Sequence, residues 1–227
     1  MSKGLLHRWN VSPEEAVEIQ NQLRAQIDLH SEPEKLETVA GIDVSYDKGS
    51  DWLFAAIVVL HVADLQLIGS ASAVAQVPFP YIPGLLSFRE CPAVLQAWDK
   101  LQIQPDCIMC DGQGIAHPRR LGIASHLGLW LDIPSIGCAK SLLVGAYREP
   151  GATRGSTEPL IHRKEHVGAI VRTKDRVSPV FVSPGHKITL KKAVEIVLAC
   201  CTKHRLPEPT RRAHLLVNEI RRNAGKE

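Results

Sequence analysis

A short apolar segment that runs directly into an acidic residue constrains the fold of this chain most. Residues 107–110 read Cys-Ile-Met-Cys, Asp111 follows at once, and Gly112 and Gly114 come next. A four-residue apolar run bounded by turn residues is typical of a strand that is buried on both faces of a sheet. Because a buried carboxylate is costly unless a cation meets it, the sequence predicts a cationic partner for Asp111.

The segments around this strand predict an α/β fold. Turn residues separate three β-type segments, which predict an antiparallel meander: 39–46, 52–62 and 66–77. A helix over 85–98 precedes the strand that ends at Asp111, and a helix over 120–131 and a strand over 133–138 follow it. Because strand-helix-strand spacing of this kind implies parallel pairing, we predict a mixed sheet in which parallel strands follow the antiparallel ones.

The two ends of the chain predict further helices. Ser12, Pro13 and Glu15 form a helix start with a capping residue, and the helical spacing of apolar residues continues to about His30. A hairpin around His162–Glu165, a strand over 177–183 and helices beginning at Thr189 and near Thr210 complete the chain. At 227 residues, this pattern predicts a single domain over 1–227.

Composition favours a cytoplasmic protein that does not enter membranes. No apolar run approaches the roughly 18 residues of a membrane span, and the first residues lack the apolar core of a signal peptide. Six cysteines stand mostly in apolar surroundings, so we expect reduced, buried thiols. Cys107 and Cys110 have the spacing of half a zinc site, but on a strand their side chains point to opposite faces.

Charge is unevenly distributed along the chain. Residues 186–227 hold ten Lys or Arg and four Glu, a formal charge of +6, and the net charge of +3 therefore leaves −3 for residues 1–185. This distribution fits a phosphodiester held over metal-binding carboxylates, although solvated amphipathic helices explain the basic end equally well. Aromatic residues are 5% of the chain, which argues against an extended base-stacking surface.

Three acidic residues converge from predicted sheet and helix. Asp43 lies inside the first apolar strand, Glu90 lies on the helix that follows the meander, and Asp111 ends the next strand. Carboxylate oxygens suit Mg²⁺, with Mn²⁺ as a substitute, and two such ions can support hydrolysis of a phosphodiester. This order of strands, acid-bearing helix and acid-ended parallel strand resembles the ribonuclease H-like fold, which indicates the reaction class and not the substrate.

Four longer motifs together resemble the endonuclease V family over about residues 10–222: Val39–Ser45, Pro80–Glu90, Asp111–Arg119 and Phe181–His186. The resemblance implies a Mg²⁺-dependent enzyme that recognises deaminated adenine, as deoxyinosine in DNA or inosine in RNA. It implies cleavage of the second phosphodiester bond 3′ of the lesion, with 3′-hydroxyl and 5′-phosphate ends. It leaves open which nucleic acid is the main substrate, and we expect a monomer without a nucleotide cofactor.

The resemblance also implies roles for individual residues. Asp43, Glu90 and Asp111 occupy metal-ligand positions, Lys140 occupies the position of an active-site lysine, and His214 a position associated with a second metal. An ammonium group at Lys140 could hold a phosphate oxygen or orient the attacking water. A surface lysine and a helix-surface histidine are the alternative interpretations of Lys140 and His214.

The segment Pro80-Tyr81-Ile82-Pro83 predicts a stiff wedge. Prolines on both sides restrict the backbone, so that Tyr81 and Ile82 could enter the base stack while the lesion turns outward. The resemblance implies that backbone groups near four residues read the turned-out base: Gly84, Leu86, Gly112 and Ile123. Gly112 and Gly114 would leave room for hypoxanthine. Candidate phosphate contacts are six residues: His117, Arg119, Ser183, Gly185, His186 and Lys187.

Other interpretations of these motifs are weaker. Gly112-Gln113-Gly114 after a strand suggests a dinucleotide site, but His117 stands where the third glycine belongs. His162–His166 has the letters of an inverted zinc-protease motif, which requires a helix, whereas its neighbours predict strands. A ribonuclease H-like nuclease of other specificity, such as a junction resolvase, and a non-catalytic nucleic-acid-binding relative are the remaining alternatives.

Overall fold

The apolar run before Asp111 forms a central strand of one eight-stranded sheet in the computed structural model, which describes residues 6–224. In chain order the strands are β1 Thr38–Tyr46, β2 Trp52–His61, β3 Leu67–Gln76, β4 Cys107–Cys110, β5 Ser135–Ala139, β6 Thr157–His162, β7 Glu165–Val171 and β8 Val180–His186. The helices are α1 Pro13–Leu23, α2 Leu86–Trp98, α3 Ile123–Leu131, α4 Leu190–Ala199 and α5 Glu208–Ala224. The strand order across the sheet is β3-β2-β1-β4-β5-β8-β7-β6.

The sheet confirms the predicted fold class. Strands β1, β2 and β3 pair antiparallel, and β1, β4 and β5 pair parallel. Strand β8 then pairs antiparallel with β5, and β7 and β6 extend that edge. The predicted arrangement of a ribonuclease H-like fold is therefore present, with an antiparallel extension after β5.

Two apolar cores lie on opposite faces of the sheet. One packs α1, α2 and α3 against the sheet, and the other packs α4 and α5. Strand β4 is fully buried, with Cys110 in the first core and Cys107 in the second, as the strand period predicts. All six cysteines are free and buried, so the expectation of reduced thiols is confirmed.

Two predicted helices are shorter in the structure. Helix α1 ends at Leu23 and a short 3₁₀ turn follows. The helix does not reach His30 because Ile27 has an extended backbone with ψ of 125°, and the Asp28 carboxylate then accepts hydrogen bonds from the backbone N–H groups of His30 and Ser31 and closes a local turn. Helix α3 begins at Ile123, not near residue 120, because Arg120 has a left-handed backbone with φ of 62°.

The β6–β7 connection excludes the zinc-protease interpretation. Arg163 and Lys164 form its tight turn with φ of 55° and 67°, so His162 and His166 belong to two strands and not to a helix. Strand β8 extends three residues beyond the predicted Ser183, and α5 begins two residues before Thr210. Within residues 6–224, no helix is long and apolar enough to cross a membrane. Residues 1–5, on which the expected absence of a signal peptide partly rests, lie outside the described residues.

Candidate active site

The central strands bring Asp43 and Asp111 together. Ile42 of β1 is the register partner of Cys110 of β4, so the acids that follow them are neighbours at the same edge of the parallel pair. Their carboxylates and the His214 ring form a group whose possible ligand atoms all lie within 4.8 Å of one another. His214 Nδ1 donates a hydrogen bond of 2.7 Å to Asp43 Oδ2. We call Asp43, Asp111 and His214 the acid cluster.

Helix α5 reaches this position because β1 carries no side chain at Gly41. A Cβ atom there would lie 2.0 Å from both the carbonyl carbon and oxygen of Pro209, in the first turn of α5. Only glycine permits this approach of the helix to the strand. The contact fixes the helix that carries His214 above the strand that carries Asp43.

Substitution of Gly41 by alanine tests this packing. Because the new methyl group meets backbone atoms, α5 must shift, and we expect a loss of about 1–3 kcal/mol in the free energy of unfolding. His214 should move with the helix, so metal-supported activity should fall more than the loss of folded protein explains. Gly69→Ala is the control, since its Cβ would lie 3.3 Å from the end of the flexible Ile103 side chain. Urea unfolding measures both variants, and an unchanged stability of Gly41→Ala would contradict the close packing.

Glu90 belongs to the same electrostatic environment, although it lies outside the group within 4.8 Å. It projects from α2 and lines the cavity described below. Burial, followed by the charges of Asp43 and Asp111, raises the pKa of Glu90 to about 8. Burial and the charge of Asp111 also raise the pKa of Asp43, against the opposing effect of His214. The raised pKa values show that nearby positive charge does not fully balance the negative charge of these acids.

A lysine supplies part of the missing positive charge. Lys140 directly follows β5, and its Nζ forms an ion pair with Asp111 Oδ2. Sequence reasoning missed the residue that holds this turn, Arg205, whose Nη2 donates 2.8 Å hydrogen bonds to the carbonyl oxygens of Lys140 and Pro179. Thr173 Oγ1 in turn donates to the Arg205 carbonyl oxygen at 2.6 Å.

The donor set fits a hard divalent cation. Two carboxylates and an imidazole lie close together, and the side chains of His214 and Lys140 are 45% and 38% exposed, so the cluster is open to solvent. Oxygen ligands with raised pKa values indicate a site that gains stability when a cation arrives. An acidic cluster that could bind metal is therefore present at the predicted place.

A cavity of about 360 Å³ opens beside the acid cluster. We call it the base cavity. Glu90, Asp111 and Lys140 form part of its wall, and so do the four residues predicted to surround a base: Gly84, Leu86, Gly112 and Ile123. Gly112 is required by close packing, because a Cβ atom there would lie 2.7 Å from Ile123 Cγ2. The volume is within the range of about 300–1,000 Å³ of small-molecule sites.

The predicted wedge stands at the rim of the base cavity. Tyr81 and Pro83 line the cavity, and Tyr81 is 58% exposed. Behind the segment, the Gly84 carbonyl oxygen accepts hydrogen bonds from Gln20 Nε2 at 3.0 Å, His117 Nε2 at 3.0 Å and Arg119 Nη2 at 2.7 Å. Three donors on one carbonyl hold the end of the wedge in place.

Two residues predicted as phosphate contacts therefore hold the wedge in this structure. His117 is buried, and burial followed by the charge of Arg119 lowers its pKa to about 4, so the ring is neutral at pH 7. Arg119 Nε also donates to Gln20 Oε1. Arg89, which sequence reasoning did not single out, is buried under the wedge and donates to the carbonyl oxygens of Val77 and Phe79.

Three further candidate phosphate contacts lie inside the protein. Ser183 is fully buried, and its Oγ accepts a 2.8 Å hydrogen bond from Gly114 N. A Cβ atom at Gly114 would lie 2.1 Å from the Pro184 carbonyl oxygen, so this glycine serves packing between the turn and β8. Gly185 is also buried, and His186 Nδ1 accepts from Asp28 N at 3.2 Å. Lys187 is partly exposed and pairs with Asp132 at 2.8 Å.

Comparison with known proteins identifies the family. The family described as Endonuclease V matches residues 21–215. Endonuclease V of Myxococcus xanthus is 54% identical over 220 residues, 96% of this chain and 94% of the relative. The crystal structure of Endonuclease V from Streptomyces avermitilis superposes with a TM-score of 0.91 at 45% identity, and the match covers 96% of each chain.

A structure with bound nucleic acid also matches. It is Endonuclease V of Ciona intestinalis in complex with a 23mer DNA that contains an inosine followed by a ribo-adenosine, with a TM-score of 0.84 and 29% identity. The match covers 94% of this chain and 100% of that one. The predicted resemblance is confirmed: this chain, a nuclease by its relatives and by its acid cluster, belongs to the Endonuclease V family.

Proposed function

We propose that this chain acts as a single-domain monomer that cleaves nucleic acid at deaminated adenine. One observation carries the proposal: the acid cluster shares a wall with the base cavity, and the exposed Tyr81 stands at the rim of that cavity. A nuclease that acts beside one altered base needs a pocket for the base next to the acids that act on the phosphate. The inosine-containing DNA bound by the Ciona intestinalis relative supports the same substrate class.

Asp43, Glu90, Asp111 and His214 would hold divalent metal, with Mg²⁺ as the proposed ion and Mn²⁺ as a substitute. Such an ion, when bound, supplies Lewis-acid activation of water and stabilises the leaving oxygen. Lys140 forms an ion pair with Asp111, and both residues line the base cavity, where the Lys140 ammonium can hold a phosphate oxygen of the substrate. Asp43 and His214 share one hydrogen bond, which orients both side chains toward the metal.

Tyr81 would fill the space left in the stack, while the turned-out hypoxanthine enters the base cavity. Pro80, Ile82 and Pro83 would keep this segment stiff, and the hydrogen bonds at Gly84 would hold it against the body of the protein. Backbone groups at Leu86, Gly112 and Ile123 are suited to read the base, because they are fixed by packing before it arrives. Lys187, which is partly exposed, is proposed to lie near the phosphate backbone.

The proposed cut is the second phosphodiester bond 3′ of the lesion, leaving 3′-hydroxyl and 5′-phosphate ends. The test uses a duplex with one inosine, labelled at its 5′ end, and a matched RNA duplex, each incubated with Mg²⁺ and mapped at nucleotide resolution. A single product with a 3′-hydroxyl end at that position supports the proposal for whichever nucleic acid yields it. Products spread over many positions, or a cut at a branch in undamaged DNA, would contradict it. Membership of the Endonuclease V family does not favour the junction-resolving or non-catalytic alternatives.

Substitution of Tyr81 by alanine tests the wedge. Because Tyr81 is mostly exposed, we expect the free energy of unfolding to change by less than about 0.5 kcal/mol. A base-stacking contact is worth about 1–3 kcal/mol, so the ratio of nicking rates at inosine and at adenine should fall roughly tenfold or more. Leu67→Ala, at an equally exposed apolar residue at the start of β3, should leave the ratio unchanged. A Tyr81→Ala protein with the wild-type ratio would rule out the wedge.

A further inference from the structure

A chain of hydrogen-bonded side chains leads from the N-terminal segment to the base cavity. His7 Nε2 lies 2.7 Å from His126 Nε2, and His126 Nδ1 lies 2.9 Å from Ser87 Oγ. His126 and Ser87 are 0% and 3% exposed. Ser87 is the second residue of α2 and lines the base cavity beside Leu86. This series of hydrogen-bonded side chains is separate from the acid cluster and from the donors that hold Gly84.

One contact at the outer end determines which nitrogen of His7 carries hydrogen. His7 Nδ1 lies 2.8 Å from the Arg8 carbonyl oxygen, and a carbonyl oxygen can only accept. His7 Nδ1 is therefore the donor in that bond. Burial lowers the pKa of His7 and of His126, so each ring is neutral at pH 7 and carries one proton. The proton of His7 is on Nδ1, and its Nε2 must accept.

The same assignment of hydrogens extends through His126 to Ser87. Since His7 Nε2 accepts, the hydrogen between the two rings belongs to His126 Nε2. A neutral His126 then has a bare Nδ1, which accepts the hydroxyl hydrogen of Ser87. A serine hydroxyl has one hydrogen and two lone pairs. With its hydrogen directed at His126, the Ser87 hydroxyl keeps only acceptor lone pairs for any other partner.

We propose that Ser87 is a specificity-determining residue that accepts a hydrogen bond from the N1–H group of a deaminated purine. His126 and His7 are the positioning residues that keep the Ser87 hydroxyl an acceptor. The inference rests on the proposed function and extends it by a side chain that the backbone contacts do not include. Hypoxanthine carries hydrogen on N1, whereas N1 of adenine is an acceptor and would face the Ser87 oxygen lone pair to lone pair. Adenine therefore cannot form this hydrogen bond and binds less favourably than hypoxanthine.

The first test measures discrimination in folded variants with Mg²⁺. One hydrogen bond is worth a factor of about ten, so Ser87→Ala should lower kcat/KM at inosine about tenfold and should not lower kcat/KM for the matched adenine duplex. Ser87→Thr keeps the hydroxyl and should retain most of the inosine activity. Ser125→Ala is the matched control, because Ser125 Oγ is a buried hydroxyl on α3 that has no hydrogen-bond partner within the described residues. It should leave both quantities unchanged.

The second test needs no variant. Long-range ¹H–¹⁵N spectra of the wild-type protein at pH 7.5 report the tautomers directly, and we expect hydrogen on Nε2 of His126 and on Nδ1 of His7. Hydrogen on His126 Nδ1 would overturn the inference, because Ser87 would then be a donor to the cavity. Wild-type values of kcat/KM in folded Ser87→Ala would overturn it as well. Equal nicking of inosine and adenine by the wild-type protein would contradict the proposed function and the ligand assigned to Ser87. The tautomers of His7 and His126 would still show whether the Ser87 hydroxyl is held as an acceptor.

Discussion

Asp43→Asn is expected to reduce metal-supported nicking by at least about 10³-fold. The side chain keeps its size but loses the charge that, with Asp111, makes the cluster attractive to a divalent cation. Loss of metal stabilisation of a phosphodiester transition state costs several kcal/mol, and each factor of ten in rate corresponds to about 1.4 kcal/mol. Asn also removes a carboxylate whose pKa is raised by burial and by Asp111, so the variant should fold at least as well as the wild type.

Two measurements separate this effect from a general change of charge. Asp99→Asn removes the same charge from an exposed residue at the end of α2 and should nick normally. Mg²⁺ should raise the melting temperature of wild-type protein and of Asp99→Asn, since a ligand that binds only the folded state stabilises it, but not that of Asp43→Asn. Nicking by Asp43→Asn within tenfold of wild type would exclude a metal-ligand role for Asp43.

The second large effect is expected at Glu90, where one substitution should change both the stability of the protein and its nicking activity. The pKa of this carboxyl group is about 8 in the folded protein, against an ordinary value of 4.5. As pH rises from 4.5, the unfolded chain loses this proton before the folded protein does. The contribution of Glu90 to stability therefore falls between about pH 4.5 and pH 8 and stays low above that range. Above about pH 8, the metal-free folded protein carries a negative charge on Glu90 that burial and the charges of Asp43 and Asp111 disfavour.

Glu90→Gln should accordingly stabilise the metal-free protein while it abolishes nicking. Since Glu90 retains some contact with solvent in the base cavity, we expect a gain on the order of 2 kcal/mol at pH 8.5 and little gain at pH 5. Urea unfolding in the presence of a chelator measures both values. Glu195→Gln, at an exposed residue of α4, should show no pH-dependent gain. An equal advantage of Glu90→Gln at both pH values would show that the pKa of Glu90 is not raised.

The sequence was sufficient for the acids because strand pattern and chemistry point to the same residues. An acid within an apolar strand and an acid directly after one must meet when the two strands pair in parallel, as Asp43 and Asp111 do. The tight turn at residues 163 and 164 was predictable because local backbone preferences decide it. Relative positions along one sheet edge follow from short-range rules.

Contacts between distant segments were not predictable. Gln20 lies on an ordinary amphipathic helix, yet it is fully buried and donates to Gly84. Arg205 lies between two helices with no motif around it, yet it donates a hydrogen bond to the carbonyl oxygen of Lys140, which is 65 residues away in the sequence. Ser183 was predicted to face phosphate, but the pairing of β8 with β5 turns it inward to Gly114. The sequence of His162–His166 matches a zinc-protease motif, and only its position on two strands, instead of one helix, excludes that interpretation.

The central claim is that the acid cluster cleaves the strand near a base held in the base cavity, at the second phosphodiester bond on its 3′ side. The most direct measurement is the nicking rate of wild-type protein with Mg²⁺ on two duplexes that differ only in inosine or adenine at one position, with Asp43→Asn measured in parallel. The account predicts rapid nicking of the inosine strand, a rate lower by at least about 100-fold for adenine, since an unmatched buried polar edge costs several kcal/mol, and no nicking by the variant. Equal rates on the two duplexes, or inosine nicking that persists in Asp43→Asn, would contradict it.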